Sequence, residues 1–370
     1  MRVEIIVCSD ASKLKEETIM KKGIALVLAL VLVLSVSAVA FAEASTYEIA
    51  LVTDVGNIDD RSFNQSSWEG VVAYAEANNI TYGYNQPSED SDAAREESMK
   101  AMIDKGAKVL VLPGYLFSAS CATVAKAYPE VQFLLLDTEP SEAGLANVYS
   151  ILYQEEQSGF FAGYAAVKDG YKKLGFLGGM AVPAVVRYGH GFVQGAEAAA
   201  LEMGLTDVSI KYWYCGSFGP TDDIRTKMDS WYTDGTEVVF ACGGGIYLSA
   251  LAAAEAANGK VIGVDSDQSF ESELIITSAM KGLTNSVVLA LTDLYAGDGT
   301  WGDKAAAVDV LGAEQGCVGL PTTDSAWRLS TFTVDEYTAL FDKVVSGEIA
   351  VSKDIDAVPA TTAVTVEEID

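Results

Sequence analysis

Between positions 54 and 65 the chain carries Asp54, Asn57, Asp59, Asp60, Ser62, Phe63, Asn64 and Gln65. Ionised carboxylates accept several hydrogen bonds, carboxamides both donate and accept, and a phenyl ring offers a flat apolar face. Such a set suits a small polar molecule bearing hydroxyls and a ring. Clustered carboxylates also suit calcium, which takes about 6–8 oxygen ligands. Comparable groups recur downstream: Pro113-Gly114-Tyr115, Asp137-Thr138, Gly178-Gly179-Met180, Cys215-Gly216-Ser217-Phe218, Cys242-Gly243-Gly244-Gly245 and Val264-Asp265-Ser266-Asp267. Lys281 is the cation nearest to this set in the reading that follows.

Some of these residues have plainer roles. Glycines after strands form turns, and an aspartate there often caps the next helix, which is the role assigned to Asp59 and Asp60. Phe63 and Phe218 sit in polar, glycine-rich surroundings and are assigned to an open cleft rather than a core. His190 falls in a helical stretch and is assigned to packing or surface.

What is scarce excludes much. With one histidine, His-dependent acid–base chemistry and His-rich metal sites have little to work with. The five cysteines include no CxxC pair, so zinc-ribbon and thioredoxin-like readings fail, and no pairing is read from spacing. No catalytic residue, metal or cofactor is assigned. The 24 basic and 52 acidic residues give a charge of −28, which repels nucleic acid and anionic lipid.

The elements that must position these groups are legible. From Tyr47 short apolar runs alternate with amphipathic stretches, the pattern of βαβ units on parallel sheets. Strands are expected at 48–53, 80–84, 109–113 and 131–137, with helices at 64–78, 92–105 and 118–128 between them. A second series places strands at 174–178, 208–214, 238–241 and 261–265, and helices at 188–203, 221–232 and 247–258. A helix at 286–295, a strand at 305–311 and a helix at 334–345 return to complete both halves. The fold class is therefore α/β, with two doubly wound parallel-sheet lobes joined by multiple crossovers, near 147–153 and 276–281. Residues 43–150 with part of 282–325 form lobe 1, and 151–281 with part of 326–370 form lobe 2. In such sheets ligands bind beyond the carboxyl ends of the strands, where the groups above are found.

Residues 1–42 read as an upstream extension and a signal peptide. Met20-Lys21-Lys22 precedes an apolar run from Gly23 to Phe41, and Ala40-Phe41-Ala42 suits cleavage after Ala42. The expected location is extracytoplasmic; an uncleaved anchor is the alternative.

Thr53-Asp54-Val55-Gly56, Asp59-Asp60 and Ser62-Phe63-Asn64-Gln65 together resemble the first-strand signature of the basic membrane protein family. Supporting blocks are Gly175–Met180 with Pro183, Gly191-Phe192 with Gly195, Gly216-Ser217-Phe218, the run from Val261 to Gln268, and Thr277–Lys281. The similarity runs from Tyr47 to the C-terminal helix. It implies a type I periplasmic-binding-protein fold and the role of an ABC-importer solute-binding protein, in the best understood members for purine nucleosides. By position, the resemblance implies that Phe63 and Phe218 sandwich the base from opposite lobes. Asp137 and Asn64 address the base edge, and Asp54, Asp265 and Lys281 the ribose, while Gly243 and Gly244 offer backbone donors. Implied partners are the nucleoside and ABC permease subunits, with the binding protein a monomer. Members commonly carry a lipid-anchoring cysteine after the signal; here Glu43 follows Ala42, and no such cysteine stands nearby. Alternative readings are the same fold with a sugar such as ribose or galactose, a sensory or surface-interaction protein, and a calcium-dependent nucleoside hydrolase. The last lacks the first aspartate of its signature, since position 52 is Val52.

Overall fold

The computed structural model describes residues 46–369; the expected extension and signal peptide at 1–42 lie outside them. Residues from Tyr47 onward form one compact unit. Its first half runs β1 (Ile49–Val52), α1 (Phe63–Asn78), β2 (Tyr82–Asn85), α2 (Asp92–Asp104), β3 (Val109–Pro113), α3 (Ser118–Ala127), β4 (Gln132–Leu136) and β5 (Val148–Tyr153). Its second runs α4 (Glu155–Lys168), β6 (Lys173–Gly178), α5 (Pro183–Met203), β7 (Val208–Tyr214), α6 (Asp222–Thr233), β8 (Val238–Cys242), α7 (Tyr247–Ala257), β9 (Lys260–Asp265) and β10 (Ile275–Lys281). Then follow α8 (Leu283–Ala296), β11 (Val308–Leu311), β12 (Val318–Gly319), α9 (Val334–Val345) and β13 (Val364–Glu368).

The strands make two sheets, ordered β11-β5-β4-β3-β1-β2 and β12-β10-β9-β8-β6-β7-β13. Every strand pair is parallel except β10 with β12. The central strands are unbroken apolar runs, such as Ile49–Val52 and Val109–Pro113, buried at every position. That is the sequence of strands covered by helices on both faces. Helix starts follow side-chain chemistry: the Ser91 hydroxyl accepts from Ala94 N–H, Thr221 from Ile224 N–H, and Thr333 with Glu336 forms a capping box.

The sheets are related. Strand order β5-β4-β3-β1-β2 in the first matches β10-β9-β8-β6-β7 in the second. Asp137, just past β4, and Asp265, closing β9, both have left-handed backbones, at φ 65° and 64°. Gly114 after β3 and Gly243 after β8 each lead into a 3-10 turn. The chain passes between sheets after Tyr153, after Lys281 and between Leu311 and Val318. The segments expected as crossovers, 147–153 and 276–281, are thus themselves largely strands β5 and β10, and the passages follow them.

One helix, α4, had no counterpart in the sequence expectation. Twelve of its 14 residues are buried, so it lacks the polar stripe that gives an amphipathic period. It packs on α5 at backbone distance. A Cβ on Gly163 would stand 2.1 Å from the Phe192 carbonyl oxygen, and one on Gly195 1.9 Å from that of Phe160. Glycine is required at both positions. Among the described residues, Cys121, Cys215, Cys242 and Cys317 are free thiols, and no helix is long and apolar enough to cross a membrane.

Candidate functional site

Parallel strands deliver all their carboxyl ends to one edge of a sheet, and here the two edges face each other. The space between them, its mouth included, amounts to about 610 Å³ not filled by protein atoms. Asp54, Phe63, Asn64 and Asp137 line it from the first sheet's side, and Phe218, Gly243, Gly244, Asp265 and Lys281 from the second's. The nine residues picked out by sequence therefore share one cavity. Tyr188, Tyr115, Val182 and Val185 complete its apolar walls.

The loop after β1 is braced internally. Asp54 Oδ1 accepts from Gly56 N–H at 2.7 Å and from Asn64 Nδ2 at 2.9 Å. Asn64 Nδ2 also donates to Asp60 Oδ2 at 3.1 Å, and its Oδ1 accepts from Asp54 N–H at 3.3 Å. Both Asn64 donors are thus engaged within the protein. Asp60 accepts from the N–H groups of Ser62, Asn64 and Gln65, capping α1 as its type suggested. Burial pushes the Asp54 carboxyl up to about 6 from its ordinary 3.8, against the lowering effect of its hydrogen bonds. No hydrogen bond to Asp54 Oδ2 is formed among the described residues, which leaves that oxygen able to accept from a ligand.

The deepest part of the site is a charge cluster. Lys281 Nζ donates to both Asp137 oxygens, at 2.9 and 2.7 Å, and lies 3.2 Å from Glu155 and 4.0 Å from Asp265. Glu155 is fully buried and receives the Arg187 Nε at 2.6 Å. Burial opposes the Lys281 charge, but Asp137, Glu155 and Asp265 outweigh it and hold the ammonium above its ordinary range. Burial raises Asp137 and Asp265, with Lys281 pulling the other way in each. Asp265 Oδ2 accepts from the Ser62 hydroxyl at 2.6 Å, a bond from one lobe to the other.

Glu155, Arg187 and Tyr188 were missed by sequence reasoning. The signal available was Glu155-Glu156, two adjacent acids opening an otherwise apolar stretch. His190 is buried and packs, with Nδ1 facing the Asp354 carbonyl oxygen at 2.9 Å. The glycines are steric necessities. A Cβ on Gly243 would stand 3.0 Å from the Gly179 backbone, and one on Gly244 2.9 Å from the Phe218 carbonyl oxygen.

A family profile described as "Bmp: ABC transporter substrate-binding protein PnrA-like" matches residues 48–354. The chain belongs to this family. Among relatives, "Basic membrane protein A1" of Borrelia garinii subsp. bavariensis is 30% identical over 70% of this chain and 75% of its own length. The "ABC transporter nucleoside-binding protein BmpA" of Lactococcus lactis subsp. cremoris is 31% identical, over 60% of this chain and 64% of that protein. The "CD4+ T-cell-stimulating antigen" of Listeria monocytogenes is 28% identical over 82% of this chain and 88% of its own. Among solved structures, an ABC transporter solute-binding protein from Aeropyrum pernix K1 superposes with TM-score 0.72 at 23% identity, covering 83% of this chain and 94% of that one. The arabinose-binding protein AraP from Geobacillus stearothermophilus does so with TM-score 0.57 at 15% identity, over 77% and 99%. The fold is that of type I periplasmic binding proteins. A PnrA-like ABC substrate-binding protein takes a small-molecule ligand and meets permease subunits, and the cavity between the lobes is where this fold offers a ligand site.

Proposed function

We propose that this PnrA-like protein binds a neutral nucleoside between its lobes, outside the cytoplasm, and delivers it to an ABC importer. The observation that carries this reading is the neutralised cation. Lys281 is surrounded by Asp137, Glu155 and Asp265, and Arg187 is spent on Glu155. A phosphate or carboxylate ligand would meet carboxylates with no free cationic partner. A ligand without charge, rich in hydroxyls and carrying a flat ring, meets what it needs. Phe63 and Phe218 supply ring faces from opposite lobes, and Asp54 and Asp265 supply acceptors for vicinal hydroxyls. Asp137 and Asn64, engaged within the protein, shape the base-edge wall, and the Gly243–Gly244 backbone lies against the opposite one.

Thermal shift and calorimetry with adenosine, guanosine and inosine, beside adenosine monophosphate, ribose and arabinose, test the reading. A nucleoside at 100 times its dissociation constant stabilises the protein by about 2.7 kcal/mol. Equal binding of the monophosphate, or binding of free sugars alone, overturns it.

A further inference from the structure

Outside the ligand cavity, the two lobes are fastened by a set of contacts centred on Arg61. Its backbone lies at φ 55°, in the left-handed region, and its N–H donates to Gln65 Oε1 at 3.1 Å. A non-glycine residue there is held against its own preference. The Arg61 carbonyl oxygen accepts from two donors on the other lobe, Ser266 Oγ at 2.7 Å and Gln268 Nε2 at 3.0 Å. The guanidinium reaches the same lobe-2 loop, 3.4 Å from Glu271 and 5.9 Å over the ring of Phe270. Phe270 is 63% exposed, so its ring is free to sit under the Arg61 guanidinium at the surface. None of Arg61, Ser266, Gln268, Phe270 and Glu271 lines the ligand cavity.

We propose that Arg61 is a closure latch at the mouth of the cleft, one that stabilises the closed form without touching the ligand and so sets how long the ligand stays. This rests on the proposed binding of a nucleoside between the lobes, which in two lobes joined by crossovers brings them together around the ligand. The chemistry of the latch couples directly to the site. Phe63 lies two residues after Arg61, at the first turn of α1, so fastening the Arg61 carbonyl also fixes the ring that faces the cavity. A contact formed only on closure lowers the free energy of the closed form whether or not ligand is present. Breaking it therefore speeds release and leaves capture from the open form unchanged.

The test uses Ser266→Ala, Phe270→Ala, Arg61→Gly and the Arg61→Gly/Phe270→Ala pair. Glycine accepts the positive φ without strain, so Arg61→Gly removes the side chain and not the turn. Spin labels at exposed Ser88 and Asp223, in a Cys215→Ser background, report the interlobe distance by double electron–electron resonance. Without ligand, the wild type is expected to show a closed population that each single variant reduces. Stopped-flow with a bound nucleoside is expected to show roughly three- to tenfold faster dissociation, with observed association faster only by as much as the open fraction of ligand-free protein increases. The pair is expected to be less than additive, because both changes break the same contact across the lobes. No closed population in the ligand-free wild type, a closed population equal in all variants, or strictly additive effects overturns the latch. If nucleosides fail to bind at all, the proposed ligand falls, and the ligand-free distance distributions still decide the latch.

Discussion

Asp265→Asn is expected to move binding and stability in different directions. In the ligand-free protein, Lys281 and Arg187 are the cations set among Asp137, Glu155 and Asp265, so the buried cluster carries one uncompensated negative charge. Lys281 attracts Asp265 across 4.0 Å; at an effective dielectric of ~20 such a separation is worth about 4 kcal/mol. Desolvation of a buried carboxylate costs several kcal/mol, and Asp137 and Glu155 add repulsion. The raised pKa of Asp265 gives the sign of the sum: burial and the neighbouring acids disfavour its charge more than Lys281 favours it. Asparagine has nearly the same shape, tolerates the left-handed backbone at φ 64° and keeps an oxygen for the Ser62 hydroxyl. The ligand-free melting temperature should therefore hold or rise. Binding should fall, because a hydrogen bond to an ionised acceptor contributes about 1.5–3 kcal/mol, a factor of roughly 10–150 in affinity. Calorimetry and thermal melts on the same preparation give both numbers. Native affinity in the variant removes Asp265 from the ligand contacts, and a melting point several degrees lower refutes the charge balance.

Phe63→Ala and Phe218→Ala should each weaken nucleoside binding by about 1–3 kcal/mol with the melting temperature little changed; a large loss of stability with affinity intact would make the ring a core residue. Affinity should fall as pH drops below about 6, up to about tenfold per unit, because the Asp54 carboxylate proposed to accept ligand hydroxyls becomes protonated there. The ligand-free protein should instead gain stability from pH 7 to 5. Asp54 at about 6 and Glu156 at about 7 take up protons in the folded state before the unfolded chain does, which differential melts against pH would show. Gly195→Ala should destabilise by ~2 kcal/mol or more in urea unfolding, since its methyl would meet the Phe160 carbonyl oxygen at 1.9 Å and only separation of α4 from α5 relieves it.

Local chemistry made much of this molecule readable from its residues. Buried parallel strands need unbroken apolar runs, so Val109–Pro113 stands out and falls where expected, while Val208–Tyr214, interrupted by half-buried Ser209 and Lys211, is legible by its alternation instead. The same architecture places strand ends at one edge, which is why Asp54, Phe63, Asp137, Phe218 and Asp265 could be grouped before any coordinates. Helix α4 resisted because burial on every side erases periodicity, and β5 and β10 because each runs straight into a passage between lobes. Only the tertiary structure decided how the charges pair. Lys281 and Asp137 are 144 positions apart and on different lobes, so their contact depends on how the lobes approach. The same holds for the Arg61 carbonyl with Ser266, whereas Glu155 meets Arg187 within one lobe through the packing of α4 on α5. A residue's type determines what it can bond; which partner it meets is set by rigid-body placement of two sheets, a distance that no local pattern carries.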